Sequence, residues 1–457
     1  MHLPEKFTER MKGLLGEQYE DFAASYEREP RRGIRINTLK LSAERVAELG
    51  MALESVPFAP EGFAVADDEI KLGNTPWHHA GAYYVQEPSA MSAVTALEPL
   101  PGERVLDMCA APGGKSTQIA ARLCGSGLLW SNEYVRTRAQ ALISNIERMG
   151  VRNAVVSSLH PDRIAEGLEG WFDRVLVDAP CSGEGMFRRD EQAIVEWSQE
   201  HAQACAARQA GILDSAARCV AEGGVLVYST CTFSPEENEL TVAAFLQRHP
   251  DFCVEPITAQ FGREGIATAG CDTAMTRRIY PMDGGEGHFV ARMRRMGEKI
   301  DGTQHERCVE EQKVSREVRS CAEELLESCF TQRPTGELAH IGDELYLLPE
   351  GYPSRCAVPV IRAGVHLGTV KSGGRSLRIE PAHALFMSAE PRHCRALVDL
   401  APDDSRLLAF LHGEQIEIEE NLRGYAAVAC SGVICGFGKC DRGALKNKYP
   451  KGLRLLG

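Results

Sequence analysis

Arg104-Val-Leu-Asp-Met-Cys-Ala-Ala-Pro-Gly-Gly-Lys-Ser-Thr117 runs from a short apolar stretch, through a glycine turn, into a helix-like segment. Glycines in such a turn let a backbone approach a ligand closely, and the helix that follows presents free N–H groups. Glu133 ends the next apolar run, at the spacing of about 20 residues where an acid typically receives ribose hydroxyls. The segment therefore predicts a parallel α/β sheet that binds a nucleoside-containing cofactor.

Outward from this turn, strand-like and helix-like stretches alternate, the pattern of a doubly wound sheet. Strands are expected at Arg104–Asp107, Gly127–Trp130, Ala154–Ser157, Arg174–Val177, Val225–Tyr228 and His288–Arg292. Helices are expected at Lys115–Leu123, at Thr137–Met149 and in one long stretch from about Glu191 to Ala221, capped by Glu222-Gly-Gly224. Upstream, a helix from Pro4 to about Ser25 precedes the strand Gly33-Ile-Arg-Ile-Asn37 and a helix around Ala43–Leu49. Downstream, polar Gly297–Ser315 reads as a linker, followed by a helix to Phe330, strands at Glu344–Leu348 and Val358–Ile361, and a glycine-rich end. The expected units are 1–78, a small α/β unit; 79–296, a Rossmann-like core; 297–375, a linker with a first C-terminal domain; and 376–457.

Two cysteines follow strand-like runs, Cys181 in Val175-Leu-Val-Asp-Ala-Pro-Cys-Ser-Gly183 and Cys231 in Val225-Leu-Val-Tyr-Ser-Thr-Cys-Thr232. Both fall at the carboxyl edge of the sheet, where ligands collect in open α/β folds. A redox couple, two metal ligands, and a nucleophile with a helper are all compatible with such a pair. Gly114-Lys115-Ser116 resembles the end of a phosphate-binding P-loop, but Cys109 occupies its first glycine position. A glycine turn preceded by the acidic strand end Asp107 suits S-adenosyl-L-methionine, which needs no phosphate cradle.

The chain has 457 residues, 44% hydrophobic and 25% charged, as in soluble globular proteins of several domains. It carries no apolar run long enough to span a membrane and opens without a signal peptide. Its sixteen cysteines then point to a reducing, cytoplasmic setting. Cys430, Cys435 and Cys440 lack paired metal-ligand spacing and read as small buried residues, so no metal is expected. Net charge is −13, yet both ends are basic: Arg28, Arg31, Arg32, Arg35 and Lys40 near the start, and Lys439, Arg442, Lys446, Lys448, Lys451 and Arg454 at the end. These segments could form a polyanion site distributed over the two ends.

Three motifs in order, Asp107-Met-Cys-Ala-Ala-Pro-Gly-Gly-Lys-Ser116, Asp178-Ala-Pro-Cys-Ser-Gly183 and Ser229-Thr-Cys-Thr232, resemble those of the NOL1/NOP2/Sun family of RNA cytosine-5 methyltransferases. Arg35-Ile-Asn-Thr-Leu-Lys40 resembles the family's N-terminal motif. The tail, Gly436-Phe-Gly-Lys439 and Leu445-Lys-Asn-Lys-Tyr-Pro-Lys-Gly-Leu-Arg454, resembles the PUA-like RNA-binding end of the RsmF-type bacterial enzymes. The resemblance implies a Rossmann-like methyltransferase core with a small N-terminal α/β domain and a PUA-like C-terminal domain. It also implies an RNA substrate, small-subunit rRNA or the 30S subunit, and we expect a monomer.

From the resemblance, Cys231 is the nucleophile that adds to carbon 6 of cytosine, and Cys181 assists its release. Asp178 contacts ring nitrogen 3 and the exocyclic amine. Because the thiolate attacks, Cys231 is expected to have a lowered pKa. Cofactor contacts fall on Cys109, Ala110, Ala111, Pro112, Gly113, Gly114 and Lys115, with Glu133, Arg138 and Asp178. Where the family often has an acid beside the adenine this chain has His160, so Asp162, two residues on, is taken as the acid of that loop. A tRNA methyltransferase, a P-loop-like ATPase and a non-catalytic RNA-binding assembly protein remain the alternative readings.

Overall fold

The structure, a computed structural model, describes residues 3–298, 314–353, 358–373 and 376–455. Its centre is a ten-stranded sheet. Five parallel strands stand in the order Ala154–Ser157, Leu128–Asn132, Arg104–Asp107, Phe172–Asp178 and Val220–Thr230, followed by antiparallel His288–Arg295. The chain order reverses between Arg104–Asp107 and Phe172–Asp178, which opens a crevice at their carboxyl ends.

These strands are apolar on both faces because helices cover both. Along Arg104–Asp107, Val105 enters one apolar layer with Leu129, Val156 and Leu176, while Leu106 enters the other with Trp130, Val155 and Val175. The helix expected from Glu191 to Ala221 is two helices, Glu191–Glu196 and Gln199–Cys219. Trp197 turns extended between them to bury its ring, and Ser198 caps the second by accepting from His201 N–H. The expected glycine cap is corrected as well, since Gly223 and Gly224 lie inside the strand Val220–Thr230. A Cβ at Gly224 would sit 2.9 Å from the Asp173 carbonyl, so close approach of the neighbouring strand requires the glycine.

The N-terminal unit has helices at Glu5–Leu15 and Tyr19–Ser25 and a four-stranded antiparallel sheet in which Gly33–Ile36 is flanked by Gly62–Val65 and Tyr83–Val85. Most of the linker expected at 297–315 lies outside the described residues. A helix follows at Arg316–Cys329, capped by Ser315, and then a second four-stranded sheet. The strand expected at Val358–Ile361 does not form, because Pro359 lacks a ladder donor. Instead Arg362–Ala363 extends the edge of the central sheet beside Ala154–Ser157. The last sheet is built on Gly424–Cys430, Val433–Asp441 and Ala444–Asn447, and buries Cys430, Cys435 and Cys440. No helix among the described residues is long and apolar enough to cross a membrane.

The N-terminal cations are not equally open: Arg28 and Arg31 are exposed, Arg32 and Lys40 half-buried. Arg35 is fully buried, and its guanidinium donates to Gln86 Oε1, the Gly114 carbonyl and Thr117 Oγ1. Lys40 donates to the carbonyls of Ala80, Arg148 and Ile434, joining three segments of chain. Desolvation lowers Lys40 to a pKa of about 7.

Candidate active site

The parallel register of the two central strands sets Asp178 beside Ser229. Each chain then continues past the sheet edge, and the next turns bring Cys181 Sγ and Cys231 Sγ to 3.3 Å. Disulfide-bonded sulfurs lie about 2.05 Å apart, so these are two thiols in contact. The hydrogen bond to Cys231 and burial both push Cys181 well above the ordinary thiol range. Cys181 therefore stays protonated, and either thiol can donate to the other.

Lys115 and Asp178 complete the centre. Lys115, in the first turn of the helix Gly114–Leu123, donates to Asp178 Oδ2 at 2.7 Å, and Ser229 Oγ donates to Oδ1 at 2.8 Å. Burial opposes both charges, but each ion outweighs that for the other, holding Lys115 above and Asp178 below their ordinary values. Lys115 is also coupled electrostatically to Cys231. The triplet Gly114-Lys115-Ser116 is thus no phosphate cradle, because Lys115 holds Asp178 and Ser116 Oγ donates to Asp107 Oδ2 at 2.7 Å.

Carboxylates fix the two cysteine turns from behind. Glu237 accepts from the Ser182 N–H, the Ser182 hydroxyl and Gln209 Nε2, while Ser182 Oγ meets Thr232 Oγ1 at 2.8 Å. Buried Glu184 accepts from Trp197 Nε1 at 2.7 Å and the Phe233 N–H at 3.0 Å, and pairs with Arg10 of the first helix. Gly185 N–H donates to the Cys231 carbonyl at 2.9 Å, tying one turn to the other.

The residues expected to hold a cofactor gather at the first turn. Gly113 takes a φ of 111°, open only to glycine, and the Ala111–Pro112 peptide is cis. Cys109, Ala110 and Ala111 follow the strand Arg104–Asp107, with Ala110 N–H bonded to the Asn132 carbonyl. Glu133 Oε1 accepts from Val135 N–H at 2.8 Å, Oε2 lies 3.4 Å from Ala111 N, and Arg138 donates to the Ala111 carbonyl at 3.0 Å. Asp107 is fully buried, its Oδ1 has no hydrogen-bond partner, and burial pushes its pKa up to about 7. An unsatisfied carboxylate oxygen fits the α-ammonium group of S-adenosylmethionine, and the glycine turn at a helix N-terminus fits its carboxylate.

Asp162 is not brought together with these residues. It is exposed, accepts from Ser215 Oγ on the long helix and faces His160. The exposed ring of Tyr134 stands edge-on to His160, beside Glu133.

Three contributors escape reading from the sequence. His288 is buried with both ring nitrogens unpartnered and Nε2 3.8 Å from Asp178 Oδ1, and desolvation lowers its pKa to about 3. Arg35, known from sequence only as part of the motif Arg35–Lys40 and a basic segment, braces the carbonyl of Gly114, and Glu237 has no motif around it. The strand-start position of His288 and the motif position of Arg35 were the signals available among them.

Four family models match successive parts of the chain. They are the N-terminal domain of 16S rRNA methyltransferase RsmF (residues 3–88), 16S rRNA methyltransferase RsmB/F (94–294), the RsmF first C-terminal domain (322–388) and the methyltransferase RsmF PUA domain (398–455). The ribosomal RNA small subunit methyltransferase F of Vibrio vulnificus is 34% identical over 472 aligned positions, covering 99% of this chain and 98% of that protein. The chain belongs to the RsmF family of Sun-type methyltransferases. The RsmF of Cronobacter sakazakii is 40% identical over 309 positions, covering 64% of this chain and 63% of that one. Among solved structures, a methyltransferase homolog from Pyrococcus horikoshii is 30% identical with a TM-score of 0.57, covering 64% of this chain and 95% of the other. NSun6 of the same organism, solved with SFG, shares the fold at a TM-score of 0.57 and 24% identity. The RsmF assignment agrees with the Rossmann-like core and the PUA-like end expected from sequence.

Proposed function

We propose that this protein methylates carbon 5 of cytosine in small-subunit ribosomal RNA, with S-adenosylmethionine as methyl donor. The contact of Cys181 and Cys231 beside the Lys115–Asp178 pair carries this reading, and membership of the RsmF family supports it. Carbon 5 of cytosine is a poor nucleophile. The Cys231 thiolate adds to carbon 6, making an enamine whose carbon 5 accepts the methyl group. As the thiolate adds, ring nitrogen 3 takes up a proton, and Asp178, fixed by Lys115 and Ser229, accepts from that N–H and from the exocyclic amine. S-adenosylmethionine, when bound, supplies an electrophilic methyl on a sulfonium. Cys109–Lys115, Glu133, Arg138 and the free oxygen of Asp107 would hold it.

After methyl transfer carbon 5 gives up its proton to solvent water, the electron pair re-forms the ring double bond, and the Cys231–carbon 6 bond breaks. Cys181 stabilises the departing thiolate through the S–H···S hydrogen bond. The target cytosine has to leave its stack to reach Cys231.

Bisulfite sequencing of total RNA from cells with and without the protein tests the reading. The expected result is one or more cytosines in small-subunit rRNA protected only when the protein is present. Protection confined to tRNA would overturn the substrate assignment. Cys231→Ala is expected to abolish methyl incorporation and Cys181→Ala to accumulate a denaturant-stable protein–RNA adduct. Full activity of Cys231→Ala, or an active Cys181→Ala without adduct, refutes the corresponding role.

A further inference from the structure

One carboxylate grips the chain on both sides of Cys181. Ser182, the residue after the thiol, donates its N–H to Glu237 Oε2 at 2.9 Å and its hydroxyl to Oε1. The carbonyl of Pro180, the residue before the thiol, accepts from Gln209 Nε2 at 3.1 Å, and the same nitrogen donates to Glu237 Oε2 at 3.0 Å. With the Ser182 proton committed to Glu237, Thr232 Oγ1 becomes the donor to Ser182 Oγ at 2.8 Å, and Thr232 follows Cys231. The Glu237 carbonyl accepts in turn from Tyr228 OH at 2.6 Å, which holds the acid itself in place. Glu237 thereby places the neighbours of both sulfurs, which stand 3.3 Å apart.

Charge is distributed unevenly about the two thiols. Lys115 acts on Cys231, whereas Glu237 acts on Cys181. The hydrogen bond to Cys231, burial and the charges of Cys231 and Glu237 push Cys181 up, and a backbone hydrogen bond of Gly183 opposes them. Tyr228 on the adjoining strand and Cys205 on the helix Gln199–Cys219 also face this carboxylate. Burial keeps both of them neutral, with Cys205 pushed up to about 11. Glu184, the other acid acting on Glu237, is engaged by Arg10, Trp197 Nε1 and the Phe233 N–H. Burial raises Glu237, and its donors Ser182 and Gln209 pull it back. A side chain that accepts at both oxygens and donates at neither is the ionised form.

We propose that Glu237 is a positioning residue that keeps the proton shared by the two thiols on Cys181. Cys231 is then the sulfur free to attack, and Cys181 is the S–H that meets it when it leaves. On release the electron pair of the Cys231–carbon 6 bond returns to sulfur and the Cys181 S–H donates to that thiolate, so no oxidant or reductant enters. Glu237 acts through Ser182, Gln209 and its charge. Its effect on release rests on the proposed cytosine chemistry, while its effect on Cys181 exists without RNA.

Two measurements test this, with thermal denaturation reporting folding in both. In RNA-free protein carrying Cys231→Ala, which removes the larger influence of the second thiol, alkylation of Cys181 by iodoacetamide is followed against pH by mass spectrometry. Adding Glu237→Gln is expected to speed that alkylation by about tenfold at a given pH, because loss of a nearby negative charge raises the thiolate fraction. Glu237→Asp, which keeps the charge, should stay close to the slow rate. With a small-subunit rRNA transcript, Glu237→Gln alone should slow decay of the denaturant-stable adduct more than it slows the first methyl transfer. If that variant does not fold, Glu237→Gln/Ser182→Ala, which removes the hydroxyl donor an amide nitrogen would oppose, is read in its place. An unmoved Cys181 profile overturns the positioning role, and so does equal slowing of transfer and release. A shifted profile in a protein whose parent transfers no methyl group to RNA overturns the proposed function and leaves the hold on the Cys181 proton standing.

Discussion

Replacing Gly185 with alanine should slow methyl transfer without touching any reacting group. The added Cβ would lie 2.8 Å from the Gly287 carbonyl oxygen, 3.0 Å from Gly287 Cα and 3.0 Å from the Cys231 carbonyl oxygen, where ordinary contact begins at 3.4 Å. All three neighbours are backbone atoms, so no rotamer change relieves the clash and the turns must part by about 0.5 Å. Overpacking of this kind costs about 1–3 kcal/mol of stability. The Gly185 N–H bond to the Cys231 carbonyl stretches with it, and Cys231 Sγ moves relative to Cys181 and Asp178. Since a misplacement of about 1 Å can cost on the order of a hundredfold in rate, half of that should cost on the order of tenfold.

Single-turnover methylation at saturating RNA measures the effect, with thermal denaturation reporting folding. We expect a rate lower by about tenfold, a lowered melting temperature and an unchanged affinity for S-adenosylmethionine. Gly211→Ala, in the long helix with nothing within 4 Å, is the matched control and should raise stability by up to about 1 kcal/mol. A Gly185→Ala protein with the parent rate and melting temperature would refute the claim that this contact fixes the position of Cys231.

Arg35→Met should destabilise the chain by about 1–3 kcal/mol for each acceptor left bare among Gln86, Gly114 and Thr117. It should also weaken S-adenosylmethionine binding in calorimetry. Arg278→Met should cost about 3–5 kcal/mol, because it strands the buried Glu239 carboxylate 2.6 Å away, and Glu239→Leu added to it should recover much of the loss in urea unfolding. Asp107, pushed up to about 7, keeps a proton in the folded chain that the unfolded chain loses near pH 4. The native state therefore binds more protons between those values, and this residue's contribution to stability falls as pH rises from about 4 to 7. Asp107→Asn should flatten that part of the curve of stability against pH.

The parallel strands were legible because burial on both faces writes continuous apolar runs, and the glycine turn marked the strand-to-helix turn at the sheet's carboxyl edge. The division of the long helix at Trp197 was not legible, because the need for the Trp197 ring at Glu184 comes from another part of the chain. The glycines at 223 and 224 read as a helix cap, because the close approach of the Asp173 carbonyl comes from a strand distant in the chain. Asp162 illustrates the limit of spacing, since its partner Ser215 lies 53 residues away.

The chain's own order of residues determined the Rossmann-like sheet, the cofactor turn and the two cysteines, because periodicity and turn chemistry are local. Tertiary structure alone decided that Cys181 and Cys231 touch and that Lys115 holds Asp178 rather than a phosphate. It also decided that Arg35 lies inside, where it donates to the carbonyl of Gly114. Each of these is a contact between segments far apart in the chain, set by strand register and burial, and neither is written in the neighbours of any one residue.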